Sequence, residues 1–265
     1  MSKIISIHSF RGGTGKSNIT ANLTALIART GNRVGAVDTD IQSPGIHILF
    51  GLDEEKMDRA LNDYLWGKCA IEETAYDVSP VLKLGKGQVA VMSGGIYLIP
   101  SSLKAGEIAR VLKEGYDVGL LNDGFQELVR RLNLDYLMID THPGLNEETL
   151  LSIAISDALV IIMRPDQQDY QGTAVTIEVA HKLGVQHMYL LVNKVLPSFD
   201  FAEVKARVEK TYGVPVIAVL PLSEEMVRLG SAGIFSLRYP DHSFTKTLEG
   251  VAQTLMSVGG KETKS

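Results

Sequence analysis

An α/β fold is predicted, with a doubly wound, mainly parallel sheet flanked by helices, and three observations predict it. Short β-branched runs alternate with helical stretches along almost the whole chain. Several of those runs are nearly continuous in apolar residues, as strands covered by helices on both faces tend to be. No internal repeat and no linker rich in Pro, Ser or charge interrupts the alternation. One domain is therefore expected over residues 1–258, followed by a polar tail at 259–265.

The elements follow in order. Ile4 to His8 reads as the first strand, and Lys16 to Arg29 as a helix with Ile19, Leu23, Leu26 and Ile27 on one face. Arg33 to Val37 is the second strand, ending at Asp38. Further strand-like runs are Ile96 to Ile99, Tyr136 to Ile139, Ala158 to Met163, Met188 to Val192 and Val214 to Val219. Helical patterns cover Gly124 to Leu132, Glu147 to Ile155, Gln171 to Lys182, Phe201 to Tyr212 and Phe244 to Val258. Between Val81 and Pro100, Gly85, Gly87 and the Gly94-Gly95 pair punctuate short apolar runs and predict a local hairpin added to the sheet.

The bulk numbers narrow the function classes. With 265 residues and 45% hydrophobic composition the chain can bury a sizeable core, and a formal net charge of −5 argues against whole-protein attraction to nucleic acid or anionic membrane. Cys69 is the only cysteine, which excludes an intramolecular disulfide and a thiolate cluster within one chain. The first ten residues lack the basic region and cleavage site of a signal peptide. No apolar run approaches the ~20 residues needed to span a bilayer. A soluble, cytoplasmic protein is expected.

The chemistry-bearing segment is Ile4-Ile5-Ser6-Ile7-His8-Ser9-Phe10-Arg11-Gly12-Gly13-Thr14-Gly15-Lys16-Ser17, which runs strand, glycine loop, helix start. Glycines let the chain wrap closely with its N–H groups aimed inward, and the helix N-terminus adds positive potential. Lys16 would reach the β- and γ-phosphates of ATP, and the Ser17 hydroxyl would ligate Mg²⁺. Gly12, Gly13, Thr14, Gly15 and Asn18 complete the expected nucleotide-binding loop. Phe10 stands where a strict Walker A loop has its first glycine. Two further segments fit the same site: Asp38-Thr39-Asp40 ends one strand, and Asp140-Thr141-His142-Pro143-Gly144 follows another. Ligands of open α/β sheets bind beyond the carboxyl ends of strands. An acid there can hold the hydration shell of Mg²⁺, and a second can orient an attacking water.

These three segments resemble the MinD/ParA family of deviant Walker ATPases, as do Tyr97-Leu98-Ile99-Pro100, Leu191-Val192-Asn193-Lys194 and Val219-Leu220-Pro221. The similarity covers nearly the whole chain in the family's order. It implies an ATP-sandwich homodimer that forms with ATP and separates after hydrolysis, and that positions division machinery, DNA or other cargo. The family's loop lysine that crosses the dimer to the partner's phosphates corresponds here to Arg11, which keeps the charge and can fork onto phosphate oxygens. By the same resemblance Asp40 would orient the attacking water, Asp38 would sit near the Mg²⁺ shell, and Asp140 would be the Walker B-type acid. Thr141 to Gly144 would be a switch sensing the γ-phosphate. Asn193 would hydrogen-bond adenine, with Pro221 and Leu222 closing over the base.

Other residues carry blander expectations. His142 reads as a switch-loop residue in preference to a catalytic base, because water positioning dominates this chemistry. His8 reads as packed or hydrogen-bonded, and the run Arg164 to Tyr170 as a polar loop with Asp169 as the helix N-cap, a role at the nucleotide or dimer face being the alternative. Arg130-Arg131 and the Lys205, Arg207 and Lys210 group read as solvated helix faces, with non-specific DNA contact as the alternative. The stripe Leu248, Val251, Ala252, Leu255 and Met256 has few basic residues near it and is expected to pack on the core, not to anchor in a membrane.

The leading expectation is an ATP-dimerising positioning switch, slow alone and accelerated by a protein activator or cargo adaptor. An ATP-dependent amidoligase or synthetase is the enzyme alternative, distinguished by dependence on an organic co-substrate. A cluster- or metal-delivery ATPase would need more than Cys69. A nucleotide-binding module of low turnover is the remaining alternative.

Overall fold

The computed structural model describes residues 2–84 and 94–259. The strands are β1 (Lys3–His8), β2 (Arg33–Asp38), β3 (Tyr76–Asp77), β4 (Gly95–Ile99), β5 (Tyr136–Asp140), β6 (Ala158–Met163), β7 (Met188–Val195) and β8 (Val216–Pro221). The α-helices are α1 (Lys16–Arg29), α2 (Ile46–Leu49), α3 (Leu61–Leu65), α4 (Ala105–Glu114), α5 (Gly119–Arg131), α6 (Glu147–Ile155), α7 (Gln167–Lys182), α8 (Phe201–Tyr212), α9 (Glu224–Leu229), α10 (Phe235–Arg238) and α11 (Ser243–Ser257).

The strands of the described residues form one eight-stranded sheet in the order β3-β4-β2-β5-β1-β6-β7-β8. Among the described residues every pairing is parallel except β3 with β4, so the predicted fold class is the observed one. Strand side chains alternate between faces, and that alternation sorts the core. Ile5, Ile7, Met138, Val160 and Ile162 pack with α1 and α11 through Ile19, Leu23, Ile27, Leu248, Val251 and Leu255. On the opposite face, Leu159, Ile161 and Leu190 pack with Val204 and Val208 of α8, and Leu137 and Ile139 pack with Phe125 and Leu128 of α5. The apolar stripe of α11 is therefore buried against α1, and no helix among the described residues is long and apolar enough to cross a membrane.

Two expectations are corrected, and one helix is added. Antiparallel pairing with β4 comes from Tyr76–Asp77, ahead of the predicted hairpin, while Ser79–Leu84 winds as a 3₁₀ helix. Gly85 and Gly87 of that prediction lie outside the described residues. Asp166, not Asp169, caps α7: its side chain accepts the Asp169 N–H at 3.0 Å, which starts the helix four residues before Gln171. The α4 helix was not predicted, because only Val111 of its residues is buried and its apolar pattern is short.

Candidate functional site

Parallel strands leave all their carboxyl ends on one edge, and the residues of interest converge there. The register pairs Ile7 with Asp140 and Asp38 with Asp140, so β1, β2 and β5 end level with one another. The chain after β1 turns through Gly13 (φ +75°) and Gly15 (φ +94°) into α1. At Gly15 a side chain would also strike the Asn193 amide, whose Nδ2 would lie 2.6 Å from an added Cβ. Gly15 is the N-cap, no side chain caps the helix, and no acid sits in its first turn. The orphan N–H groups of α1 are thus free to meet an anion, with the helix dipole behind them.

Lys16 points back into this concavity and donates to Asp140 Oδ1 at 2.9 Å. Thr20 donates to the same oxygen at 3.1 Å, while Asp140 Oδ2 is buried without a hydrogen-bond partner. Asp38 is fully buried; its Oδ1 accepts from Asp40 N at 3.0 Å and its Oδ2 from Gly45 N at 3.1 Å. Burial, and then the neighbouring Asp140, push its carboxyl up to about 7. Burial also raises Asp40, against the opposing pull of Lys16 and His142. Asp40 Oδ1 accepts from Ser43 N at 3.1 Å and lies 3.7 Å from His142 Nε2.

The loop after β5 is tied to the phosphate loop: Gly144 N donates to Ser9 O at 3.3 Å. Thr141 donates to Ile7 O at 3.1 Å and pairs with His8 Nδ1 at 2.8 Å. Burial first, then Lys16 and His142, lower His8 to about 3, so it is a neutral hydrogen-bonding residue of the strand, as expected.

The donor set fits Mg²⁺. Among the described residues no three His, Cys, Asp or Glu side chains form a cage of their own. Mg²⁺ commonly takes one or two carboxylates, phosphate oxygens and water. The unpartnered Oδ2 of Asp140, Asp38 beside it in register and Ser17 on the first turn of α1 are of that chemistry.

Beyond Asn18, a cleft of about 270 Å³ opens between α1 and the ends of β7 and β8. Asn193, Pro221 and Leu222 line it, together with Met226, Val227 and Phe244, which the sequence did not single out. Asn193 Nδ2 donates to Thr14 O at 2.8 Å, and its Oδ1 accepts from Lys194 N at 2.9 Å. Lys194, which the sequence offered only as a neighbour, donates from Nζ to Gly13 O at 2.8 Å. Consecutive strand residues normally point to opposite faces. Here β7 is irregular against β8 between Val192 and Val195, and Lys194 has φ +59°. That bulge turns both side chains onto the phosphate loop.

Arg11 stays outside the concavity. Its guanidinium lies 3.7 Å from both Asp166 and Asp169, with 39% of the side chain exposed. Arg130 and Arg131 both pair with Glu127, and Lys205 with Glu209, so these cations are partnered on their own helix faces.

Fold and loop together define a P-loop nucleotide-binding protein on a doubly wound sheet. A family model described as ParA, NUBPL iron-transfer P-loop NTPase, matches residues 1–256, and the chain belongs to that family of MinD/ParA-type P-loop NTPases. Similar proteins include an uncharacterized ATP-binding protein of Methanocaldococcus jannaschii, 28% identical over 97% of this chain and 88% of its own length. A cytosolic Fe-S cluster assembly factor of Chaetomium globosum is 26% identical over 98% of this chain and 87% of its own. Among solved structures, the septum site-determining protein MinD of Pyrococcus horikoshii, complexed with Mg-ADP, superposes with a TM-score of 0.75 at 21% identity, covering 96% of each chain.

Proposed function

We propose that this chain is a Mg²⁺-dependent ATPase that works as an ATP-dimerising switch for positioning or partitioning cellular cargo. The observation that carries the reading is the division of labour between two loop cations. Lys16 is buried against Asp140, where it serves its own nucleotide. Arg11 sits at the rim, partly exposed and bound to nothing inside its own site. An exposed guanidinium beside one phosphate site is suited to the phosphates of a second, facing site.

In this reading the loop N–H groups and Lys16 hold the phosphates, and Ser17, Asp38 and Asp140 hold the metal. Mg²⁺ supplies charge neutralisation of the phosphoryl oxygens when bound. Asp40 orients the attacking water, and the Thr141 to Gly144 loop, hydrogen-bonded to Ser9, follows the state of the phosphate loop. Asn193, Pro221 and Leu222 hold the adenine end. Hydrolysis is slow in isolation, and a protein activator or cargo adaptor accelerates it.

Light scattering with ATP, ADP and no nucleotide tests the proposal. The expected result is an ATP-dependent dimer that accumulates in Asp40→Ala and fails to form in Arg11→Ala. A mass that never changes with nucleotide overturns the switch and favours a low-turnover binding module, or an amidoligase-like enzyme if an organic co-substrate stimulates turnover.

Cluster delivery is a second reading, favoured by the iron-transfer description of the family model and by the Fe-S assembly relative. One cysteine per chain gives a dimer only two thiolates, whereas cluster sites generally use four protein ligands. Iron and sulfide that stay with the protein after anaerobic reconstitution and gel filtration would bring it forward.

A further inference from the structure

Phe10, the departure from the strict loop pattern, has a defined seat. Its ring lies over Gly172 of α7, so closely that a Cβ added at Gly172 would overlap the ring atoms. Gly172 is buried, and it is the only glycine in the sixteen residues of α7. Glycine is among the least favourable residues inside a helix. It stands at the position of α7 where the Phe10 ring lands, and a side chain there would overlap the ring.

The neighbouring ion pairs explain what such a seat does. Asp169 is buried and already held by Arg164, which donates from its backbone N at 2.8 Å and from Nε at 3.2 Å. Arg164 also reaches Asp166 at 3.1 Å. Arg11 approaches the same two acids at 3.7 Å without a hydrogen bond. The acids therefore keep a partner when Arg11 leaves, and a long, partly exposed ion pair is weak. Arg11 is easily released. The residue before it is not, because its ring is interlocked with a helix backbone.

We propose that Phe10 is a positioning residue whose ring pegs the outer end of the phosphate loop to α7 at Gly172. Arg11 then swings from Asp166 and Asp169 to a partner's nucleotide while the loop keeps its shape. The proposal rests on the sandwich-dimer reading of Arg11 and adds the part that holds its base still.

The test compares wild type, Phe10→Gly and the ring-preserving Phe10→Tyr. Three quantities are measured: amide hydrogen exchange across residues 10–13, ATP affinity of the monomer, and the ATP-dependent dimer constant. Phe10→Gly is expected to speed exchange about tenfold by local opening. It should weaken the dimer about tenfold through lost preorganisation while monomer affinity stays within about threefold. Phe10→Tyr should restore both. Wild-type exchange rates in Phe10→Gly overturn the peg. Parallel loss of monomer affinity also overturns it, since the ring would then be merely structural for the whole loop. A wild-type chain that stays monomeric with ATP sinks the sandwich reading instead, and the exchange contrast then decides the peg alone.

Discussion

Lys16 and Asp140 meet at 2.9 Å, Nζ to Oδ1, with 7% and 1% of their side chains exposed. The ammonium that the proposed function assigns to the nucleotide is thus the counterion of the strand-end acid. Truncating one member of such a pair leaves the other charge buried and uncompensated, at a cost of roughly 3–5 kcal/mol. Lys16→Ala should therefore lose stability as well as nucleotide affinity. A fall in melting temperature on the order of 10 °C is expected in the nucleotide-free protein. An unchanged melting temperature would mean that water already solvates the pair.

Asp38 sets a pH dependence whose sign runs against the usual behaviour of acids. Its carboxyl is raised from an ordinary 3.8 to about 7 in the folded chain, chiefly by burial. Between those values the native state holds a proton that the unfolded state has lost, so this group's contribution to stability falls as pH rises from about 4 to about 7 and is level above that. The full span is worth at most ~4 kcal/mol. Melting curves between pH 4 and 8 should show wild type losing ground relative to Asp38→Asn, which has no charge to bury. Mg²⁺–nucleotide should bind the ionised form better and oppose the trend. Parallel curves for the two proteins would refute the assignment.

The sheet and the phosphate loop were legible because their signals are local. Apolar runs of strand length and the glycines before Lys16-Ser17 need no knowledge of distant parts of the chain. Asp38 and Asp140 were legible for a topological reason: a parallel sheet brings strand ends to one edge whichever strands are neighbours. Lys194 was not legible as a loop ligand, since strand alternation sends it away from Asn193 until a bulge and a positive φ reverse it. The seat of Phe10 was equally hidden, because Gly172 lies 162 positions further on and its missing side chain means nothing until the ring is placed. Asp169 was misassigned because Asp166 and Asp169 are both cap-forming residues three apart; Arg164 draws Asp169 inward and leaves Asp166 to cap.

Asp40 and His142 join the loops that follow β2 and β5 at 3.7 Å. Neither residue touches Lys16 or the glycine loop by a hydrogen bond, so substituting Asp40 should separate chemistry from binding. Asp40→Ala is expected to cut the hydrolysis rate by about 10²–10³-fold, a range reached by loss of one positioned catalytic group. ATP affinity should stay within about threefold, since the phosphate contacts survive. Single-turnover phosphate release and equilibrium binding check the two halves. Equal losses in both would assign Asp40 to nucleotide binding.

The Asn193–Lys194 clasp makes a graded prediction about the loop. Gly15→Ala places a methyl group against the Asn193 amide at a backbone position with φ +94°, so steric and conformational costs add. ATP affinity should fall at least ~100-fold, about 3 kcal/mol, while the sheet stays folded. Lys194→Ala removes one hydrogen bond to Gly13 O from a partly solvated ammonium and should weaken binding only about tenfold or less. It also leaves a non-glycine residue at φ +59°, whereas Lys194→Gly removes both the ammonium and the backbone cost. If the ammonium matters for nucleotide affinity, Ala and Gly at 194 should bind ATP equally weakly while Gly melts higher. If instead Lys194→Gly binds as tightly as wild type, the lysine is there only for the bulge, and Asn193 alone holds the loop.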